Sequence, residues 1–403
     1  MPKTVVIVGA LDTKGEEFAF IKKLIEKEGL NTLVVDFGVM GEPAFAPQIG
    51  REEVAQAGGG DLKYLSSGEH KDQAMKVMAA GLAKVVRQLH TDGRLDGIIG
   101  MGGSGGTSIA TTGMRVLPVG VPKVMVSTVG GGDVSAYTGA KDIVFIPSIV
   151  DVSGINRISR RIYANAAGAI AGMVKAELPP ATAEKPLVVA SMFGNTTKCV
   201  DMARKVIEDA GYEVLVFHAT GTGGRTMESL IQDGYIVASM DITTTELADE
   251  VCGGVFSAGP ERCMAASKAG IPAVLVPGCV DMANFGGLDT VPEKFRQRTL
   301  YEWNPNVTLL RTNVEENIKM GKMIAAAANA ATAPVSILLP LKGVSMLDSP
   351  GGQFWDPEAD QACYQTIKDQ VKPGIAVIEL DNNINDPEFA ERIAHTLLGL
   401  MQA

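Results

Sequence analysis

Five glycines within the seven residues Gly100–Gly106, in the run DGIIGMGGSGGTSIATT, follow a short apolar segment and precede a Ser/Thr-rich stretch of helical character. Residues without a Cβ let the backbone turn sharply and present its N–H groups, and a helix beginning there adds partial positive charge. The chemistry this predicts is capture of an anion, with phosphate the best match for Gly102, Gly103, Ser104, Gly105, Gly106 and Thr107. The spacing Gly100-x-Gly102-x-x-Gly105 satisfies a nucleotide-turn pattern. An acidic residue some twenty positions on, which a dinucleotide would want, is replaced by Lys123. Ser104, Thr107 and Ser108 add hydroxyls suited to phosphate oxygens or to magnesium.

Two further loops share this character. GALDTKG, Gly9–Gly15, follows an apolar run and opens an amphipathic one, with Asp12, Thr13 and Lys14 beside Gly9. It reads as a second wall of a phosphate pocket, Lys14 supplying charge and Asp12 a metal or hydroxyl ligand, or else as a helix cap. Asp36, ending the next apolar run, stands where a ribose would be met or where a turn is capped. The run Thr128, Gly130, Gly131, Gly132, Asp133 forms a third loop after VMVS. Loops at the carboxyl ends of parallel strands gather along one edge, where ligands bind.

Later in the chain, TGTGGR (Thr220–Arg225) follows EVLVF and His218. A glycine turn with a guanidinium fork suits a carboxylate or phosphate. His218 is one of four histidines and the general acid/base candidate, with Arg225 as anion clamp and Asp241 of DITTTE as a source of oxygen ligands or a helix cap. Cys279 and Asp281 share a strand-end segment, and DSPGGQFWDP is either a lid or packing.

The elements that must position these groups are strands of an α/β fold. Val- and Ile-rich runs (TVVIVG, NTLVVDFG, Gly97–Ile99, Lys123–Ser127, Ile143–Pro147) alternate with helical stretches (EEFAFIKKLIEKEG, His70–Leu89, Arg157–Val174). After the proline-rich ELPPATAEKP the pattern restarts at Leu187–Ser191, continues through Val335–Leu339 and Ile375–Glu379, and closes with a helix over Asp386–Met401. The expected organisation is an N-terminal Rossmann-like lobe over 1–178, a linker at 179–186 and a C-terminal lobe over 187–403, each with a parallel sheet flanked by helices. Thr13-Lys14 matches Thr197-Lys198, and Gly29 matches Gly211, which points to an internal duplication with a cleft between lobes.

Composition narrows the class. The 403 residues suit two cores, and 46 glycines exceed the roughly 28 that average usage of about 7% gives. A net charge of −10 leaves no basic face for nucleic acid. Five scattered cysteines with no CxxC suit a reducing cytoplasm. Val5–Leu11 reads as a strand rather than a secretory signal. Met323–Leu341 is uncharged but broken by Pro334 and Pro340, so no membrane span is expected.

GALDTKG, IIGMGGSGGT, STVGGGD, MFGNTT, HATGTGGR, DITTTE and DSPGGQFWDP, in this order, resemble the UPF0261 family of Tm-1-like ATP-binding proteins over essentially the whole chain. The resemblance implies two Rossmann-like lobes, a homodimer, and ATP with magnesium held in the first lobe by the matching glycine loops. In longer relatives a TIM-barrel domain follows, which implies a separate TIM-barrel protein as a possible partner. The second lobe is left for a small acidic metabolite. Two functions remain open: an ATP-dependent enzyme acting on a carboxylate, and a binding module gated by nucleotide.

Overall fold

The computed structural model describes residues 2–67, 70–179 and 184–402. The chain divides into two compact units, Met1–Pro180 and Ala181–Ala403. Residues 180–183 of the expected linker lie outside the described residues.

In the first unit, β1 (Thr4–Gly9), β2 (Asn31–Asp36), β3 (Gly97–Gly102), β4 (Lys123–Ser127) and β5 (Val144–Pro147) form a parallel sheet in the order β2-β1-β3-β4-β5. Alternate residues of each strand serve opposite faces, as a pleated strand requires. Val5 and Ile7 pack with Phe18 and Ile170 from the helices Leu11–Lys27 and Arg157–Lys175, while Val6 and Val8 pack with Met78, Leu82 and Ala110 from Lys71–Thr91 and Ser104–Arg115. Both faces are therefore covered, which is why these strands read as continuous apolar runs.

The second unit contains β6 (Leu187–Met192), β7 (Glu213–His218), β8 (Ile236–Thr243), β9 (Ala273–Gly278), β10 (Met282–Phe285), β11 (Leu300–Asn304), β12 (Val307–Arg311), β13 (Val335–Pro340) and β14 (Ala376–Leu380). Its main sheet runs β14-β13-β9-β8-β6-β7, all parallel, and β10-β12-β11 make a small antiparallel sheet. Read from β7, this winding repeats that of the first unit: second strand, first, third, fourth, fifth. Gly29 and Gly211 occupy matching turns before the second strand of each unit, with φ of 79° and 99°, a left-handed backbone that favours glycine. Among the described residues no helix is long and apolar enough to cross a membrane.

Candidate functional site

A sheet wound 2-1-3-4-5 has its switch point between the first and third strands, where the chain leaves the sheet in opposite directions and a crevice opens. In the first unit the loops after β1 and β3 meet at this place. They line a cavity of about 360 Å³ together with Phe37–Met40 after β2 and the helix Lys71–Thr91.

The β1 loop is tightly built. At Gly9 a Cβ would stand 1.9 Å from the Phe18 ring, so glycine is required for that packing. The following helix, Leu11–Lys27, leaves helical geometry at Lys14 (φ −136°, ψ 26°). Asp36 Oδ1 accepts hydrogen bonds from the amides of Leu11 (3.0 Å) and Gly38 (2.8 Å), and Asp12 Oδ2 accepts from Met40 (2.7 Å) and Gly41 (3.1 Å). Each carboxylate thus fastens the other's loop. Burial pushes the Asp36 carboxyl up, with the charge of Asp12 adding to the effect. Asp12 Oδ1 and Asp36 Oδ2 are buried without a hydrogen-bond partner.

The β3 loop opens the cavity's polar end. Gly103 is the N-cap of the helix Ser104–Arg115, in extended backbone, and no side chain caps its first amides. Gly102 lets the helix approach closely, a Cβ there lying 3.2 Å from the Gly106 Cα. Gly102, Gly103, Gly105 and Gly106 line the cavity, and so do Asp12, Thr13 and Lys14. Thr107 does not offer its hydroxyl outward: it is fully buried, and its Oγ1 lies 2.7 Å from Ser127 Oγ. Ser104 is exposed at the first helical position. Lys14 is committed as well, its Nζ donating to the Val152 carbonyl.

Two other expected members stand apart. Asp36 is fully buried behind the wall it fastens. Thr128 and Gly131 line a separate open hollow of about 490 Å³ with Pro147–Asp151. The amides of Gly130 and Gly132 turn inward to Ser127 and Val129 (3.2 and 3.1 Å), and Asp133 accepts from the Ser135 amide, a bond that holds its carboxyl low.

The cavity's apolar wall was not singled out from the sequence. Met75 and Met78 come from a helix whose apolar stripe is legible, but which part of that stripe meets a crevice rather than the core depends on where the helix sits on the sheet. Lys71, exposed at its start, lines the same cavity.

The second unit treats its glycine turn differently. Glu246 Oε1 accepts from the amides of Gly221 (2.6 Å) and Gly224 (3.1 Å) at the start of the helix Thr222–Gln232. The carboxylate that TGTGGR is suited to hold is therefore one of the protein's own. Arg262, fully buried, backs it: Nε pairs with Glu246, the two terminal nitrogens engage Asp241 (Nη2–Oδ1 2.7 Å), and Nη1 lies 3.3 Å from Glu228 Oε1. Burial pushes the Glu228 carboxyl up to about 7 against the pull of Arg262. Nothing in the sequence near Arg262 marks it out.

In the expected trio of His218, Arg225 and Asp241, the two charged members are engaged with other partners. His218 is exposed and packs edge-on to Phe193, with ring centres 5.7 Å apart. Arg225 donates to the Ser257 carbonyl (2.9 Å), and Asp241 is locked to Arg262 and Ser191. Cys279 is fully buried and burial drives its thiol well up, which disfavours the thiolate a nucleophile needs. The DSPGGQFWDP loop is pinned by Arg311, whose Nε donates to the Phe354 carbonyl (2.6 Å) while Nη2 pairs with Asp360 (2.8 Å). It packs, and is not a free lid.

Comparison with known proteins agrees with this two-part build. A UPF0261 protein of Clostridium tetani is 52% identical over the whole of both chains. UPF0261 protein mlr3387 of Mesorhizobium japonicum is 41% identical, covering 97% of this chain and 98% of its own. The ToMV resistance protein Tm-1(GCR237) of Solanum lycopersicum is 42% identical over 81% of this chain, which corresponds to 44% of that longer protein. Among solved structures, UDP-N-acetylglucosamine 2-epimerase from Rickettsia bellii overlays all of this chain and 96% of its own at 11% identity and a TM-score of 0.24, too loose to carry an argument. Residues 3–179 match the N-terminal domain, and residues 185–401 the C-terminal domain, of the Uncharacterised protein family (UPF0261), so the chain belongs to the UPF0261 family.

Proposed function

We propose that this protein is a cytoplasmic ATP-binding protein that holds its nucleotide in the first unit, at the crevice between β1 and β3. The observation that carries this reading is the Gly103–Gly106 turn. It aims uncapped helix amides into a cavity with an apolar wall, so one end suits phosphate and the other a base. The turn after β7 holds Glu246 in the equivalent role, which supports the same chemistry for a turn of this kind.

Magnesium would come with the phosphates. Among the described residues no group of three or more His, Cys, Asp or Glu is placed to hold a metal unaided. Asp12 and Thr13 are the lining side chains with oxygen to offer it. Of the two roles left open by the sequence, binding is favoured over transfer to a carboxylate, because Arg225 and Asp241 are engaged elsewhere. A homodimer and a separate TIM-barrel partner are parts of the proposal that rest on the resemblance, and a small acidic metabolite is a part that rests on the TGTGGR turn with His218 and Arg225.

Calorimetric titration of the whole protein with ATP and magnesium tests the reading. Saturable heat at one site per chain is expected, and its absence overturns the proposal.

A further inference from the structure

The cavity wall says how a base would be read, given that phosphate occupies the Gly103–Gly106 turn as proposed above. The apolar lining beside that turn is Phe37, Val39, Leu65, Met75, Met78 and Ile109, and Met75 reaches to 3.5 Å from where a Gly105 Cβ would stand. None of these side chains carries a hydrogen-bond donor or acceptor able to tell one base edge from another. The lining polar side chains, Asp12, Thr13, Lys14 and Lys71, belong to the β1 loop and to the first residue of the helix Lys71–Thr91.

Four amides of the segment after β2 are also engaged. The amide of Phe37 donates to the Gly9 carbonyl (2.9 Å), that of Gly38 to Asp36, and those of Met40 and Gly41 to Asp12. Donors that would recognise adenine N1 or guanine O6 from this segment are thereby withdrawn, with the Val39 amide left over. Four methionines, Met40, Met75, Met78 and Met101, line the cavity. Their flexible thioethers adapt to different ring shapes and favour sulfur–aromatic contact.

We infer that the site takes purine nucleotides by shape, gripping the ring through apolar and sulfur contacts without discriminating adenine from guanine. Sites built on hydrogen bonds reject the wrong partner by about 10⁴-fold or more, and apolar pockets by roughly 10²-fold at most.

The test is calorimetric titration of the whole protein with ATP, GTP and inorganic triphosphate, each with magnesium. ATP and GTP are expected to bind within tenfold of each other, and triphosphate at least tenfold more weakly than ATP. Met75→Gln should weaken ATP by more than it weakens triphosphate, and Met75→Leu should retain ATP. A preference of more than tenfold for either purine, or triphosphate binding as tightly as ATP, overturns the inference while leaving the phosphate site standing. Failure of all three ligands to bind removes the phosphate reading and this inference with it.

Discussion

Arg262 grips Asp241 end-on inside the second unit, Nη2 lying 2.7 Å from Oδ1, with the guanidinium wholly and the carboxylate almost wholly closed to solvent. Breaking one side of such a pair strands the other charge in a medium that solvates it poorly. Arg262→Met fills similar volume and leaves Asp241, Glu246 and Glu228 without their common cation. The expected cost is about 3–5 kcal/mol, read as a lowered midpoint in urea denaturation. An unchanged midpoint would show that the cluster protonates or hydrates without penalty.

Glu246→Ala removes the carboxylate from the amides of Gly221 and Gly224 and leaves a space shaped for one. We expect a loss of about 1–3 kcal/mol for the orphaned donors. Formate should return part of the lost melting temperature, while chloride at the same ionic strength should not. Equal recovery with both salts would assign the effect to screening.

Stability should fall as pH rises from about 5 to 8. Burial pushes Glu228 and Asp249 up to about 7, and Asp36, Asp281 and Asp360 are also raised, burial being the main cause for each. An acid whose folded pKa exceeds its unfolded value binds its proton more tightly when folded. Its contribution is complete below the unfolded pKa, near 4, and is lost as pH climbs through the folded one. The melting temperature at pH 5.5 is expected to exceed that at pH 8, and a flat or rising profile would contradict these assignments.

The double variant Gly103→Val, Gly105→Val should fold and fail to bind ATP. A Cβ at Gly103 would meet Thr128 Oγ1 at 3.8 Å and one at Gly105 would meet Met75 at 3.5 Å, both ordinary contacts. The branched side chains add bulk beside the amides that phosphate must approach. Calorimetry on a variant with a wild-type melting curve decides the matter: retained affinity would put the phosphates elsewhere.

Strands such as β1, β2 and β4 were legible because they are buried on both faces, so TVVIVG, NTLVVD and KVMVS carry their burial in composition alone. The Gly102–Gly106 turn was legible for a related reason, since a backbone that must approach closely leaves its mark as glycine. The small sheet β10-β12-β11 was not, its strands being short and mixed in polarity, with β11 largely exposed. Asp241 reads in sequence as a source of oxygen ligands or a helix cap because its partner Arg262 lies twenty-one residues away on an unremarkable segment, PERC. The partner of Arg225 is hidden for the same reason: a side chain's nearest acceptor, here the Ser257 carbonyl, is a property of tertiary approach.

The two units wind their strands alike yet treat the amides of a glycine turn in opposite ways, and Glu246 makes the difference. A carboxylate tethered to the same chain competes at an effective concentration in the millimolar range, so dissolved acids at micromolar levels do not displace it. In the first unit no side chain caps the amides after Gly103, whereas in the second the tethered carboxylate of Glu246 holds the start of the helix Thr222–Gln232 in place.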